Sequence, residues 1–280
     1  DFQSILLKKV LNKDPDSILL NHDFTNFSIH NGSLVCHFKN NASHITDSLI
    51  ACDGNKSIIR ESINGNDKLN YLGYVAWRGL ISTSDIPDGL IQPDTATFIG
   101  KEKIFARYKI RSGKLINYVG FSKRDNWKDE SWTVRSSIEE LLSEFGNSTD
   151  EIQTLISKTQ PSQCYKWALA GRAPIKKWSE DNITLLGDAA HPMLPFLGQG
   201  AAMAIEDSVI LARLFVKESN IKDAFKKYEQ NRIDRTTMVM NGAELNGLKL
   251  SGSNYNNFIK DKHAYTEEEV AKYDPVEAAL

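Results

Sequence analysis

The chain has 280 residues, 41% hydrophobic and 25% charged, enough to bury one large core or two smaller ones. Its 34 basic and 36 acidic residues are mixed along the sequence and leave a net charge of -2, so no field exists to draw nucleic acid or an anionic membrane surface. Cys36, Cys52 and Cys164 are too few and too scattered for a disulfide framework or a metal cluster, and there is neither a run of about 18 apolar residues nor a basic-then-apolar leader; cytoplasmic localisation is expected.

The first residues, "DFQSILLKKVL", place Phe2, Ile5, Leu6 and Val10 at helical spacing, as though the chain entered in mid-domain. Short β-rich runs separated by Asn/Gly turns then predict a meander, with "NGS" at 31–33 as a hairpin signal, ending in a buried strand at 48–52. Asp53-Gly54 and a short helical turn in "NKSIIRESI" follow, giving strand, tight turn and helix. Between about 70 and 125, "YLGYVAWRGLI", "TATFIG", "KIFARYKI" and "LINYVGFS" predict an antiparallel sheet.

Two helices are expected at about 134–145 and 149–158, the second with Ser148 and Glu151 at capping-box spacing. A strand at "CYKWALA", another at "NITLL" and a helix over about 199–216 come next. A last helical face carries Ile221, Ala224, Phe225, Tyr228 and Ile233. The tail beyond about 250 is polar, with weak periodicity.

The most specialised stretch is "GDAAHPMLPFLGQG", residues 187–200, lying between the apolar strand and a helix. A helix beginning at Gln199-Gly200 has unpaired N–H groups and a positive dipole end, fit for an anion or a developing negative charge. Gly198 and Gly200 let a flat ligand approach the backbone, and Asp188, directly after a strand, can accept hydrogen bonds from sugar-like hydroxyls. The local features also allow a tight connection whose glycines serve packing alone.

"LLGDAAHPMLPFLGQGAAMAIEDSVILARL" resembles the Gly-Asp motif of the FAD-dependent aromatic hydroxylases, the single-component flavoprotein monooxygenases, and especially their salicylate hydroxylase-like branch. The resemblance implies that Gly187 and Asp188 meet the ribityl chain of FAD. Gly198, Gln199, Gly200 and Ala201 would face the pyrimidine edge of the flavin, and Pro192 and Pro195 would shape its substrate side. "SLIACDGNKSIIR" resembles the Asp-Gly motif of the same family, placing Asp53 and Gly54 near the pyrophosphate with Arg60 close behind; Ala51 stands where a glycine is more usual.

"YLGYVAWRGLI" and "KIFARYKIRSGKLINYVG" resemble strands of the family's substrate domain. Tyr108 is thereby assigned to the substrate, while the histidine base that some relatives carry four positions earlier is Ile104 here. "YKWALAGRAPIKKW" resembles the segment leading to the Gly-Asp strand, and His191 reads as structural, or as acting through a neighbour.

The implied fold is α/β (α+β): an FAD-binding aromatic-hydroxylase fold with an antiparallel β-sheet substrate domain and C-terminal helices, truncated because the family's Gly-x-Gly-x-x-Gly βαβ unit has no counterpart here. The expected division is 1–65 for the rest of the FAD-binding domain, 66–165 for the substrate domain, 166–216 for the return to the first, and 217–280 for helices and tail. The implied activity is FAD-dependent monooxygenation of a small aromatic, phenolic substrate with NADH or NADPH and dioxygen. A homodimer is compatible with it, and no metal is expected. The competing expectation is a non-catalytic remnant, unable to retain FAD for want of the glycine-rich unit.

Overall fold

The computed structural model describes residues 1–65, 67–124, 134–251 and 270–280. Helix α1, Phe2–Lys13, carries its apolar residues at the spacing read from the sequence, yet none is buried. The meander forms from β1, Phe24–His30, β2, Ser33–Phe38, and β3, Ser43–Thr46, paired antiparallel in that order. Asn31 and Gly32 both turn with positive φ, as a two-residue hairpin requires. Next, β4, Leu49–Ala51, leaves the meander, and α2, Ile58–Asn64, starts at Ser57, whose Oγ accepts from the Arg60 N–H.

The central run builds one antiparallel sheet from β5, Asn70–Ser82, β6, Thr95–Gly100, β7, Lys103–Ile110, β8, Leu115–Lys123, β9, Val134–Arg135, and β10, Tyr165–Gly171, in the spatial order β6-β7-β8-β5-β10-β9. Between β9 and β10 lie α3, Ile138–Glu144, and α4, Asp150–Ser157. The helix expected from 134 begins only at Ile138, because Val134 and Arg135 pair with Lys166 and Tyr165 of β10. The Ser148–Glu151 capping box does not form. Thr149 is the N-cap of α4, the Ser148 hydroxyl donates to the Phe145 carbonyl, and the Glu151 carboxylate instead accepts from buried Arg107, at 2.6 Å. A buried guanidinium on β7 needs a carboxylate more than a helix end needs a second cap.

After β10, which pairs in the large sheet, the chain enters a separate small sheet. Here β11, Ser179–Glu180, pairs antiparallel with β12, Ile183–Leu185, which pairs parallel with β4. Helices α5, Gly200–Lys217, and α6, Ile221–Ser251, close the fold; Ala224, Phe225 and Tyr228 of the expected face are fully buried against the small sheet. Of the polar tail, residues 252–269 lie outside the described residues. Among the described residues no helix is long and apolar enough to cross a membrane.

Strand alternation gives the large sheet two apolar faces. Val75, Trp77, Phe105, Ile116 and Tyr118 pack on α3 and α4, while Ala76, Ile104 and Phe121 pack on Leu194, Leu197, Met203 and Val239. The Gly-Asp connection is thus pressed between the small sheet and the second face of the large one. Trp77 is a core residue, fully buried, with its indole N–H donating to Ser136 Oγ at 3.2 Å.

A polar clamp fixes α3 to the large sheet. Burial pushes the Glu144 carboxyl up, but hydrogen bonds from Ser122 and Arg124 and the nearby Lys103 ammonium outweigh it and hold the carboxyl at about 2. A carboxyl depressed on folding stabilises the protein above its ordinary value of 4.5 and loses that contribution as pH falls toward about 2. Acid unfolding of Glu144→Gln, followed by circular dichroism, is expected to show a flatter pH dependence across that window than wild type. An unchanged profile would remove Glu144 from the account.

Candidate flavin site

Parallel pairing of β4 with β12, Ala51 opposite Leu185, brings two turns separated by over a hundred residues to the carboxyl ends of neighbouring strands. The Leu186 N–H donates to the Ala51 carbonyl at 2.9 Å and continues the register up to the turns. One turn is Asp53-Gly54 with the short 3-10 segment Gly54–Lys56; the other is the 3-10 turn Gly187–Ala189. Asp53 is exposed, and one of its oxygens accepts from the Ile58 N–H at 3.0 Å, holding its carboxylate over the start of α2. Asp188 is exposed, between buried neighbours Gly187 and Ala189.

Gly187 turns with φ +64°, and a Cβ there would lie 3.2 Å from Ala204 of α5, so both backbone sign and packing call for glycine. The connection then runs through Pro192 to a second 3-10 turn, Pro195–Leu197, which ends on Gly198 at φ +63°, left-handed, with open space where a Cβ would stand. Gln199 is the N-cap of α5 and makes no side-chain cap. The first amides of α5, at Gly200 and Ala201, are therefore uncapped from Gln199, and Asp188 Oδ1 points to within 4.0 Å of where a Gly200 Cβ would stand. The sequence-assigned residues Asp53, Gly54, Gly187, Asp188, Pro192, Gly198, Gln199, Gly200 and Ala201 thus gather along one connection and its neighbouring turn.

Arg60 lies beneath them. It is 1% exposed and donates to Asp67 at 2.5 Å, to the carbonyls of Ala190 at 2.6 Å and Ala189 at 3.3 Å, and to that of Ala173 at 3.1 Å. Its guanidinium ties α2 to the back of the Gly-Asp turn. Arg172 works beside it, donating to the backbone carbonyls of Asn55, at 3.1 Å, and Asp67, with its guanidinium 3.5 Å from the Asp67 carboxylate, which thus faces two arginines.

His191 is buried under the same turn. Its Nε2 donates to Asp207 Oδ2 at 2.6 Å, the Gly187 N–H donates to that oxygen at 3.1 Å, and Arg232 Nε donates to Asp207 Oδ1 at 2.7 Å. Burial pushes the Asp207 carboxyl up, but the His191 hydrogen bond and the Arg232 charge prevail and hold it below the usual range. Glu206 pairs with Arg232 at 2.8 Å and accepts both Nε and Nη2 of Arg235 at 2.7 Å. This four-charge network was not read from the sequence. Its signal is nevertheless there: Glu206 and Asp207 fall three and four residues after buried Met203, and Arg232 four after buried Tyr228, so ionic groups occupy core positions of two helices.

Pro195 is exposed at the start of the second 3-10 turn. Tyr108 shares the Ile104 face of β7 by alternation but lies four residues further on, about 13 Å along the strand. It is 40% exposed, and the connection packs on Ile104 rather than on it. A cavity of about 200 Å³ lies between the sheet and the connection, walled by Leu72, Pro192, Met193, Leu194 and Met240 with Arg172 and Glu244 at its polar side.

The donor set fits a flavin nucleotide: exposed carboxylates for hydroxyls, glycines where a ring must approach the backbone, and uncapped helix amides for an electron-rich edge. Among the described residues no group of three metal-ligating side chains occurs.

The "FAD binding domain" family matches residues 44–243. The chain is 37% identical over 201 residues to 3-hydroxybenzoate 6-hydroxylase of Klebsiella oxytoca, covering 71% of this chain and 49% of that one. It is 33% identical over 244 residues to 6-hydroxynicotinate 3-monooxygenase of Pseudomonas fluorescens, covering 85% and 62%. The chain therefore spans about half to two thirds of these relatives. Among solved structures, Klebsiella pneumoniae HpxO complexed with FAD and uric acid superposes with a TM-score of 0.78 at 23% identity over 96% of this chain and 67% of that one. A salicylate hydroxylase substrate complex gives 0.74 at 22% over 99% and 76%. The fold is that of the FAD-dependent aromatic hydroxylases, and the chain belongs to the FAD binding domain family.

Proposed function

We propose that the protein acts as an FAD-dependent monooxygenase that hydroxylates a small aromatic, phenolic substrate with NADH or NADPH and dioxygen, in the cytoplasm and as a homodimer. The observation that carries this is the convergence of Asp53 and Asp188 at the ends of β4 and β12, with Asp188 beside the uncapped start of α5. The division into residues 1–65 and 166–216 for flavin, 66–165 for substrate and 217–280 for helices and tail belongs to the same proposal.

FAD, when bound, supplies the electron transfer and oxygen chemistry. Asp188 would accept from the ribityl hydroxyls of a bound FAD, with Gly187 supplying its turn, and Asp53 and Gly54 would flank the pyrophosphate, with Arg60 setting the turn behind them. The amides of Gln199, Gly200 and Ala201, after the left-handed turn at Gly198, would face an electron-rich ring edge of the bound flavin. Pro192 and Pro195 shape the substrate side, the apolar residues of the connection exclude water from it, and Tyr108 meets the substrate at its outer rim.

The test is a titration of the 280-residue chain with FAD, followed by quenching of flavin fluorescence. Saturable micromolar binding is expected, weakened at least about tenfold in Asp188→Ala, since hydrogen bonds to a charged acceptor contribute about 1.5–3 kcal/mol each. NAD(P)H oxidation with a panel of phenols then reads the activity. A folded chain that takes up no FAD would overturn the proposal in favour of the non-catalytic reading.

A further inference from the structure

The segment Val270–Leu280 is laid across α5 and α6 by four of its carbonyls. Val270 accepts from Arg235, Pro275 from Arg213, Ala279 from Asn231 and Leu280 from Lys217, at 2.6–2.9 Å. Val270 is 3% exposed and packs in the same apolar cluster as Leu194 and Leu197 of the Gly-Asp connection. Three residues on, the ring of Tyr273 covers both arginines of the buried network, its centroid 3.9 Å from the Arg235 guanidinium carbon and 5.5 Å from that of Arg232.

Arg232 needs such a neighbour. Its Nε and Nη2 are spent on Asp207 and Glu206, while Nη1 is buried with no hydrogen-bond acceptor among the described residues. An electron-rich ring face partly offsets a guanidinium edge left without one. From Arg232 the path to the turn is two bonds long: Arg232 fixes Asp207, and Asp207 accepts from both the Gly187 N–H and His191.

We propose that Tyr273 is a positioning residue for the Gly187–His191 turn, acting through Arg232 and Asp207, so that docking of the 270–280 segment sets how firmly Asp188 is presented. Its functional consequence rests on the flavin role proposed for that turn. A residue far along the chain, touching neither motif, thereby adjusts the site through charges that have no freedom to rearrange in a packed interior.

Hydrogen exchange by mass spectrometry on the full chain, for wild type, Tyr273→Ala and Tyr273→Phe, tests the proposal, with an FAD titration of each. Tyr273→Ala is expected to speed exchange in the peptide spanning 187–191 about three- to tenfold while β7 and β8 keep their wild-type rates, the range a desolvated cation–π contact supports. Tyr273→Phe keeps the ring, loses only the hydroxyl bond to Asn231, and is expected to match wild type. FAD affinity of the alanine variant falls by a similar factor. Exchange at 187–191 that stays at the wild-type rate, or that rises equally throughout the sheet, overturns the proposal. The localised exchange pattern in a wild-type chain that binds no FAD supports the positioning role and removes the flavin reading instead.

Discussion

Asp207→Asn is expected to destabilise the apoprotein by about 3–5 kcal/mol, because it takes from the buried Arg232 guanidinium one of its two carboxylates, leaving Glu206 alone, and weakens the acceptor shared by Gly187 and His191. Asp207 is fully buried and anchors three donors from three places: the Gly187 amide, the His191 ring and Arg232 on α6. Denaturant unfolding of the single variants and of the double variant Asp207→Leu/Arg232→Met gives the decisive cycle. Removing both charges is expected to recover most of the loss, since a buried ion pair is about as stable as apolar residues of similar volume, whereas half of one is not. If the double variant is as unstable as the worse single one, packing rather than charge explains the site.

The sign with pH follows from the depressed carboxyl. Its contribution is present above the ordinary carboxylate value of about 3.9 and is lost as pH falls through the lower folded value, so the gap between wild type and Asp207→Asn is expected to close in acid.

The second large effect is expected at Arg60. Arg60→Met leaves Asp67 facing Arg172 alone and strips the carbonyls of Ala173, Ala189 and Ala190 of their donors. A loss of about 3–5 kcal/mol follows from breaking a buried pair on one side. Arg60→Lys is expected to recover little of it, because a compact ammonium cannot span a carboxylate and three carbonyls as the planar fork does. Arg60 also joins the two motif turns, so the FAD dissociation constant is expected to rise in both variants. Thermal unfolding with and without FAD measures the two effects together. A lysine variant that unfolds like wild type would show that charge alone suffices there.

Both residues illustrate what sequence pattern conveys. Arg60 was legible as a member of the Asp-Gly motif, but its partners are carbonyls of residues 173, 189 and 190, and nothing in local spacing announces a bond across more than a hundred positions. Its family assignment pointed toward the pyrophosphate; its contacts in this structure are with the turn's own backbone. Glu206, Asp207, Arg232 and Arg235 stood in view as charges on core faces of two helices, yet which cation met which anion depended on how α5 and α6 cross.

Local chemistry fixed the elements that could be read along the chain. Alternating apolar residues made the four long strands of the large sheet, helical spacing made α5 and the buried face of α6, and the glycines at 187 and 198 took the positive φ that their turns demand. Juxtaposition, by contrast, came from packing. Parallel pairing of β4 with β12 placed Asp53 beside Asp188, and the demand of buried Arg107 drew Glu151 away from a helix cap. Packing of the connection on Ile104 left Tyr108 toward the rim. In each case the reason is the same: a buried charge or apolar face must find its partner wherever the packed chain puts one, and that distance in space is not written in distance along the sequence.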